Sequence, residues 1–395
     1  MNNSLLYRPE LAGQLVSRKG NQLLRLIRAA QPITRTEIAE RLSIDKSTVT
    51  ENVKPLISRG LLRQDIIDGK ERRRRVLSFT PENGYFIGVN LGVRRSQVGV
   101  TTLGSEISDE SDFETPSKPE TALRLARKRI DEIIHSRSGR LPKLIGVSVP
   151  GMVDAERQKL IFAPHLNWRD IEIAEILRPD RNVDVAVEND STAAAMYEAR
   201  LKIRDSDDGL MTNFILVRSG TGIGVGLVIG SQVYRGSGSI RGIAGEFGHM
   251  TIVAGGKHCV CGNRGCWEQY ASAASAASLY LGDRPPARGV SKPRFVEIVS
   301  KAKVGDVRSR RTLEKIGDYL GIGIANVIMG IGISRVIISG RLVYGWEFIE
   351  EPLNAAIERS IIGKIDGWSV EAGEPVGSAI GGALEVAVEE YLSTL

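Results

Sequence analysis

No stretch of this 395-residue sequence approaches the roughly 18 consecutive apolar residues that a membrane-spanning helix needs. The opening residues, MNNSLLYRPELAGQ, lack the basic-then-apolar layout of a secretory signal. The two absences exclude membrane and secreted classes and lead to the expectation of a cytoplasmic protein with no membrane partner. Cysteine is scarce too, with three thiols in the whole chain. In a reducing compartment so few thiols point to metal binding or catalysis before disulfides. Low-complexity segments and short-period repeats are also missing. What is present, at 42% hydrophobic residues, suffices for a large core divided over two or three domains.

Charge is unevenly spread. Residues 1–80 hold 16 Lys and Arg against 8 Asp and Glu, which leaves 37 against 39 for the remainder. A basic head on a near-neutral body suggests that the head meets a polyanion.

Within that head, NQLLRLIRAAQPITRTEIAERLSIDKSTVTENVKPLISRGLL reads as three short helices. Leu23, Leu24 and Ile27 form one apolar stripe that stops before Pro32. Thr34 and Glu37 have capping-box spacing, and Ile38, Ala39 and Leu42 give the second helix its buried face. After a short turn at Ser43-Ile44, Asp45 is placed to cap a third helix with Val49 and Val53 inward. Its outward residues, Lys46, Ser47, Thr48, Thr50 and Lys54, are small or cationic groups able to reach base edges and phosphates. This is helix-turn-helix spacing. Pro55 removes a hydrogen bond from that helix, which predicts a kink or an end there. Two strands, LLRQDII and RRVLSF, then flank DGKERRRR, placing Arg72, Arg73, Arg74 and Arg75 at a hairpin tip suited to phosphates or a minor groove. Taken alone, the arginine run also reads as a solvated charged turn. Helix pattern and basic balance together favour DNA.

Beyond a short linker at 81–84, strand–turn–strand patterns alternate with helices. YFIGVNLGVRRSQVGVTTL and NFILVRSGTGIGVGLVIGSQVYRG each read as two strands about a tight turn. LIGVSVPGMVD reads as a buried strand ending in a loop, and VDVAVENDSTAAAMYEAR as a strand running into an alanine-rich helix. The small residues Gly317, Gly321 and Ala325, followed by Met329, recur every fourth position and predict close helix packing.

Five segments, GVSVPGMVD (146–154), VENDSTAAA (187–195), SGTGIGVGLVIG (219–230), IAGEFGHM (243–250) and CVCGNRGCWE (259–268), occur in one order. In this the body resembles the ROK family, which joins bacterial sugar kinases with sugar-responsive transcriptional repressors, and the head matches the repressor branch. The resemblance implies an α/β chain with an N-terminal winged helix-turn-helix and a two-lobed actin-like or ribonuclease-H-like sugar-kinase fold. The expected domains are 1–80 for DNA binding, 84–195 plus the C-terminal helix 376–395 for the first lobe, and 196–375 for the second.

All three cysteines fall within eight positions of a glycine-rich stretch. Cys259, Cys261 and Cys266 with one histidine make a tetrahedral zinc set, which leaves no open position and is therefore structural. A disulfide with a spare thiol and unrelated buried cysteines are the alternatives. His258 rivals His249 on spacing, and the family pattern selects His249.

The resemblance further implies that Asn189, Asp190, Glu246, His249 and Glu268 converge on one sugar. Asp190 stands where the family's kinases keep their catalytic base. The kinase pattern on the first hairpin is altered at Asn90, Val93 and Arg94, where a β-branched residue and a long cation replace glycine and threonine. Ser339-Gly340-Arg341 likewise puts arginine where the family often has glycine. His165, in APHLNW, either contacts ligand or packs behind the loop. The reading is therefore a sugar-responsive repressor without enzyme activity, acting as a homodimer or tetramer on operator DNA. The alternative is an active ATP-dependent sugar kinase carrying a DNA-binding head.

Overall fold

The computed structural model describes residues 18–68, 73–81, 84–104, 106–205, 213–236, 240–241, 243–282, 291–373, 375 and 378–395. Among them no helix is long and apolar enough to cross a membrane. Arg72 lies outside the described residues.

The head is a winged helix-turn-helix. Helices Arg18–Ala30, Arg35–Leu42 and Lys46–Ser58 pack beside a three-stranded sheet ordered Ile33–Thr34, Arg73–Phe79, Leu62–Asp68. The capping box forms: Glu37 N–H donates to Thr34 Oγ1 at 3.2 Å, and Thr34 N–H donates to Glu37 Oε2 at 2.8 Å. Ser43 in the left-handed region (φ 51°) makes the turn between helices two and three. Three expectations need correction. Asp45 occupies the N-cap position of the third helix but makes no side-chain capping bond. That helix does not end at Pro55; it runs to Ser58, because Val49, Val53 and Leu56 bury one continuous face on either side of the proline. The arginines are not confined to the tip. Arg73, Arg74 and Arg75 lie in the strand opposite Asp68, Ile67 and Ile66, a register that sets Arg73 across from a carboxylate.

The body holds two five-stranded sheets of one topology. In the first, the spatial order is Asp184–Asn189, Leu144–Val149, Phe86–Asn90, Arg95–Thr101, Ser108–Glu114. In the second it is Ser369–Ala372, Arg335–Gly340, Phe214–Ser219, Ile223–Ile229, Gln232–Tyr234. Each begins with an antiparallel hairpin and then adds two parallel strands on the hairpin's first-strand side. Strands covered on both faces need continuous apolar runs, and LIGVSV is buried at every position. This is the expected two-lobed actin-like or ribonuclease-H-like α/β fold.

Helix Asp190–Asp205 crosses the 195/196 position that the sequence suggested as a lobe boundary. Its alanine face, Ala193 to Ala195, is fully buried, and Gly226 of the second lobe lies so close that a Cβ there would meet the Ala195 Cβ at 2.5 Å. The C-terminal helix Ser378–Ser393 lies against the first sheet, with the Ala383 carbonyl 2.1 Å from where a Cβ on Gly146 would stand. In the long helix Val307–Ile331, Gly317 and Gly321 rest on the Ile349 and Leu353 carbonyls as expected. The small stripe ends before Met329, which is exposed.

The head is docked onto this body. Besides Leu23, Leu24 and Ile27, helix Arg18–Ala30 buries Leu26, so two of its faces are covered. Head and body share one apolar cluster that includes Phe86, Leu144, Met196, Ile203 and Val386. At its edge the Glu385 carboxylate, 2% exposed, accepts from Arg28 Nη1 at 2.5 and 2.7 Å and from Arg200 Nη1 at 3.0 Å. Burial outweighs these attractions and holds the Arg28 guanidinium below its usual range. Arg25 adds an ion pair to Glu389 and a 2.6 Å bond to the Ser231 carbonyl. Removing one partner of a buried pair strands the other charge. Glu385→Gln is expected to lower unfolding stability by about 3–5 kcal/mol in denaturant titrations, and Arg28→Met with Glu385→Leu to recover most of it. A loss under about 1 kcal/mol would show the pair to be dispensable.

Candidate ligand cleft, metal cluster and nucleic-acid interface

Between the lobes lies a cleft of about 410 Å³, lined by all five expected sugar contacts and by His165. Strand Asp184–Asn189 ends at its floor, and the next helix starts there with Asp190. Asn189 is largely committed to structure. Its Oδ1 accepts from the Ser191 and Thr192 amides at 2.9 and 3.1 Å, and its Nδ2 donates to the Gly151 carbonyl at 2.9 Å. The second amide proton faces Glu246 Oε1 at 3.5 Å. Asp190 Oδ2 accepts from Arg218 Nη1 at 2.8 Å.

A 3₁₀ segment, Ile243–His249, brings Glu246 and His249 to the opposite wall, with His249 Nε2 3.5 Å from Glu246 Oε2. Burial, reinforced by the charges of Asp190 and Glu268, raises the Glu246 carboxyl to about 7. Glu268 is buried beneath. Its Oε2 lies 3.0 Å from His165 Nε2, a hydrogen bond that raises the His165 imidazole. Burial opposes ionisation of Glu268, but His165 and the neighbouring His249 hold its carboxyl below the usual value. Gly222 makes this approach possible, since a Cβ there would meet Glu268 Oε2 at 2.3 Å and His165 Nε2 at 2.8 Å. His165 is therefore a member of the cleft and does not merely pack behind its loop. Ionised carboxylates among Asp190, Glu246 and Glu268 can accept from the vicinal hydroxyls of a polyol, and the imidazoles of His165 and His249 can donate or accept according to tautomer.

His249, Cys259, Cys261 and Cys266 lie beside the cleft with their donor atoms all within 4.8 Å of one another. The three thiols are free in the structure. Cys261 and Cys266 sulfurs are 3.8 Å apart, and tetrahedral Zn–S bonds of about 2.3 Å would set sulfurs about 3.8 Å apart. Cys259 Sγ is 3.4 Å from His249 Nδ1 and donates to Glu268 Oε1 at 3.1 Å. Burial lowers the His249 imidazole, which favours the neutral, ligating form. The same burial pushes the Cys259 thiol up, so a thiolate there needs a cation beside it. His258 turns away to Arg264 and is outside the set. This cluster can hold a metal ion. Glu268 bridges it to the cleft.

On the head, Lys46, Ser47, Thr50 and Lys54 are exposed and Thr48 half-buried along one helix face. Thr50 Oγ1 donates to the Lys46 carbonyl at 2.9 Å, which leaves its lone pairs outward. In the wing, Arg74 is paired with Glu37 of the second helix. Sequence reasoning missed Arg218. The available signal was a lone cation inside the apolar strand FILVRS, next to the glycine turn.

A winged helix-turn-helix head on a two-lobed, sugar-kinase-like body with a cleft between the lobes is the architecture of this chain. Residues 86–386 match the ROK family and residues 21–66 the MarR family. The chain belongs to the ROK family. It is 33% identical over 347 residues to the xylose repressor of Bacillus spizizenii (strain ATCC 23059 / NRRL B-14472 / W23), covering 85% of each chain. Among solved structures it is similar to a ROK family transcriptional regulator, a homolog of the E. coli MLC protein. That match has a TM-score of 0.73 and 22% identity, over 95% of this chain and 96% of the other. A ROK family glucokinase from Streptomyces griseus, in complex with glucose and AMPPNP, matches with a TM-score of 0.65 and 26% identity. It covers 77% of this chain and 99% of its own.

Elemental analysis of the purified protein is expected to find about one transition-metal ion per chain. Cys261→Ser should release it and lower the melting temperature. Metal-free protein containing a Cys261–Cys266 disulfide would overturn the assignment.

Proposed function

We propose that this chain is a sugar-responsive, DNA-binding transcriptional repressor of carbohydrate genes. The observation that carries the proposal is helix Asp190–Asp205, which starts in the cleft and reaches the head. Its first residue lines the cleft, while Met196 and Ile203 pack in the head's cluster and Arg200 joins Glu385 at the docking helix. A ligand that moves Asp190 therefore acts on a rigid element whose far end holds the head.

In this reading Asp190, Glu246, His249 and Glu268 hold the sugar hydroxyls, with Asn189 fixing the helix start and His165 orienting Glu268. The metal is zinc, held by His249, Cys259, Cys261 and Cys266. With four protein ligands it would supply structural order and no catalysis. His249 would offer Nδ1 to the metal and Nε2 to the cleft, so the metal fixes the pose of a sugar contact.

Phosphoryl transfer is disfavoured by two features of this chain. Asp190, the kinase base position, is engaged by Arg218. Asn90, where kinases carry a carboxylate, is tied to Gln97 and Ser148 by bonds of 3.2 and 3.1 Å.

Lys46, Ser47, Thr48, Thr50 and Lys54 would face the major groove, with Arg73, Arg74 and Arg75 near the backbone. Because one small head makes few base contacts, the chain would act as a dimer on an inverted repeat in the cytoplasm. Gel-shift titrations on operator and scrambled duplexes at several salt concentrations test this. Thr48→Ala should narrow the operator's advantage by about 1 kcal/mol or more. Arg73→Ala with Arg75→Ala should weaken both duplexes and flatten the salt slope. A cognate sugar should release the operator from the wild type. If neither substitution alters affinity or slope, the head does not read DNA in this way.

A further inference from the structure

A second, smaller cavity lies at the seam between head and body and shares no lining residue with the cleft. Its volume is about 40 Å³, and its polar lining comes from four elements. Arg25 and Arg28 belong to the docking helix Arg18–Ala30, and Arg200 to helix Asp190–Asp205. Ser231 stands in the turn that joins strands Ile223–Ile229 and Gln232–Tyr234 of the second lobe, and Glu385 and Glu389 in the C-terminal helix. The remaining lining is apolar.

The donors around this cavity are not used up. Arg28 is 4% exposed, and it meets both Glu385 oxygens through Nη1 alone. Its Nε and Nη2, which share the other edge of the guanidinium plane, are buried and have no hydrogen-bond partner among the described residues. The Ser231 hydroxyl is buried and unpartnered in the same way. Buried donors are seldom left unsatisfied, so three of them on one small cavity ask for an acceptor. Charge points in the same direction. Arg28 and Arg200 share Glu385, and Arg25 takes Glu389, so three cations face two carboxylates and one positive charge is left over. Burial holds the Arg28 guanidinium below its usual range, and the charge of Arg200 beside it acts with the burial. Water would meet the donors but leave that charge uncompensated.

We propose that this seam cavity binds one small monovalent anion, a halide or a planar oxyanion such as hydrogencarbonate, on the Nε–Nη2 edge of Arg28 and the Ser231 hydroxyl. Two parallel N–H donors in a fixed fork suit either kind of anion. A single negative charge closes the balance of three cations against two carboxylates. A space of about 40 Å³ admits an ion of a few heavy atoms and excludes sugars and nucleotides, whose pockets begin at roughly 300 Å³. The bound anion would tie the docking helix to the turn of the second lobe, with Arg200 of the cleft helix beside it. Its occupancy would therefore strengthen the docked arrangement of the head. The inference is independent of the sugar reading, since it uses no residue of the cleft.

Thermal denaturation of the full-length protein at fixed pH and ionic strength tests this. Glutamate, too bulky for the cavity, is replaced stepwise by chloride, bromide or hydrogencarbonate. The melting temperature is expected to rise by about 2 °C for each tenfold increase in the bound anion above its dissociation constant. Ser231→Ala should move that response to about tenfold higher concentration, through loss of one hydrogen bond to a charged group. Arg28→Lys keeps a cation opposite Glu385 but lacks the free edge, and it should abolish the response; should that variant fail to fold, Ser231→Ala decides. Crystals grown in bromide should show an anomalous peak between Arg28 and Ser231. A response to halides alone, or to hydrogencarbonate alone, supports the site and tells which anion it takes. Melting that is indifferent to the anion would overturn the proposal and leave the donors to water. A response retained in full by both variants would place the anion elsewhere and overturn it too. A bromide peak without any response in solution would mean an adventitious ion only.

Discussion

One carboxylate sits where head, C-terminal helix and cleft helix meet. Glu385 is buried at the end of an apolar interface and faces Arg28 from the head and Arg200 from the helix that begins in the cleft. Two charges taken from water are tolerated only while their geometry is good, so such a contact is a poor source of net stability. It is, however, sensitive to position. A small displacement of Arg200 costs much of its attraction to Glu385 and leaves Arg28 with an altered partner. A hydrophobic interface alone would slide. An ion cluster at its rim favours one docking arrangement over its neighbours, and that is what a regulated head requires.

The cleft uses charge in the complementary way. Its carboxylates and imidazoles form hydrogen bonds among themselves, from His165 through Glu268 to Cys259, so each enters binding already oriented. The His249, Cys259, Cys261 and Cys266 cluster, which can hold a metal ion, continues that chain on the far side of Glu268. Asp190 is paired with Arg218, so its carboxylate already has a partner within the cleft.

Much of this was legible from residues. The Thr34–Glu37 capping box, the turn at Ser43 and the inward Val49 and Val53 each follow from local chemistry that tertiary contacts do not override. The cysteine cluster was legible because metal ligation demands particular side chains at short spacing. Other features depended on partners distant in the chain. Leu26 reads as one more apolar residue in a short helix until the body is seen to cover that second face. Arg28 and Glu385 are separated by 357 positions, and neither has a local pattern to announce the other. Pro55 misled in the opposite direction, since propensity predicted an interruption that burial of Val53 and Leu56 overrides. The Asp190–Arg218 pair escaped notice for the same reason as Glu385: its members belong to different elements that only the fold brings together.

The central claim is that occupancy of the cleft is felt at the docking helix through Asp190–Asp205. Amide hydrogen exchange of the full-length protein, followed with and without a saturating sugar ligand, tests it most directly. The account predicts faster exchange in helix Arg18–Ala30 on ligand binding, together with altered protection along Asp190–Asp205, as the hold of Arg200 and Glu385 on the head weakens. Exchange in the docking helix that stays unchanged, while the cleft residues gain protection from bound ligand, would contradict it.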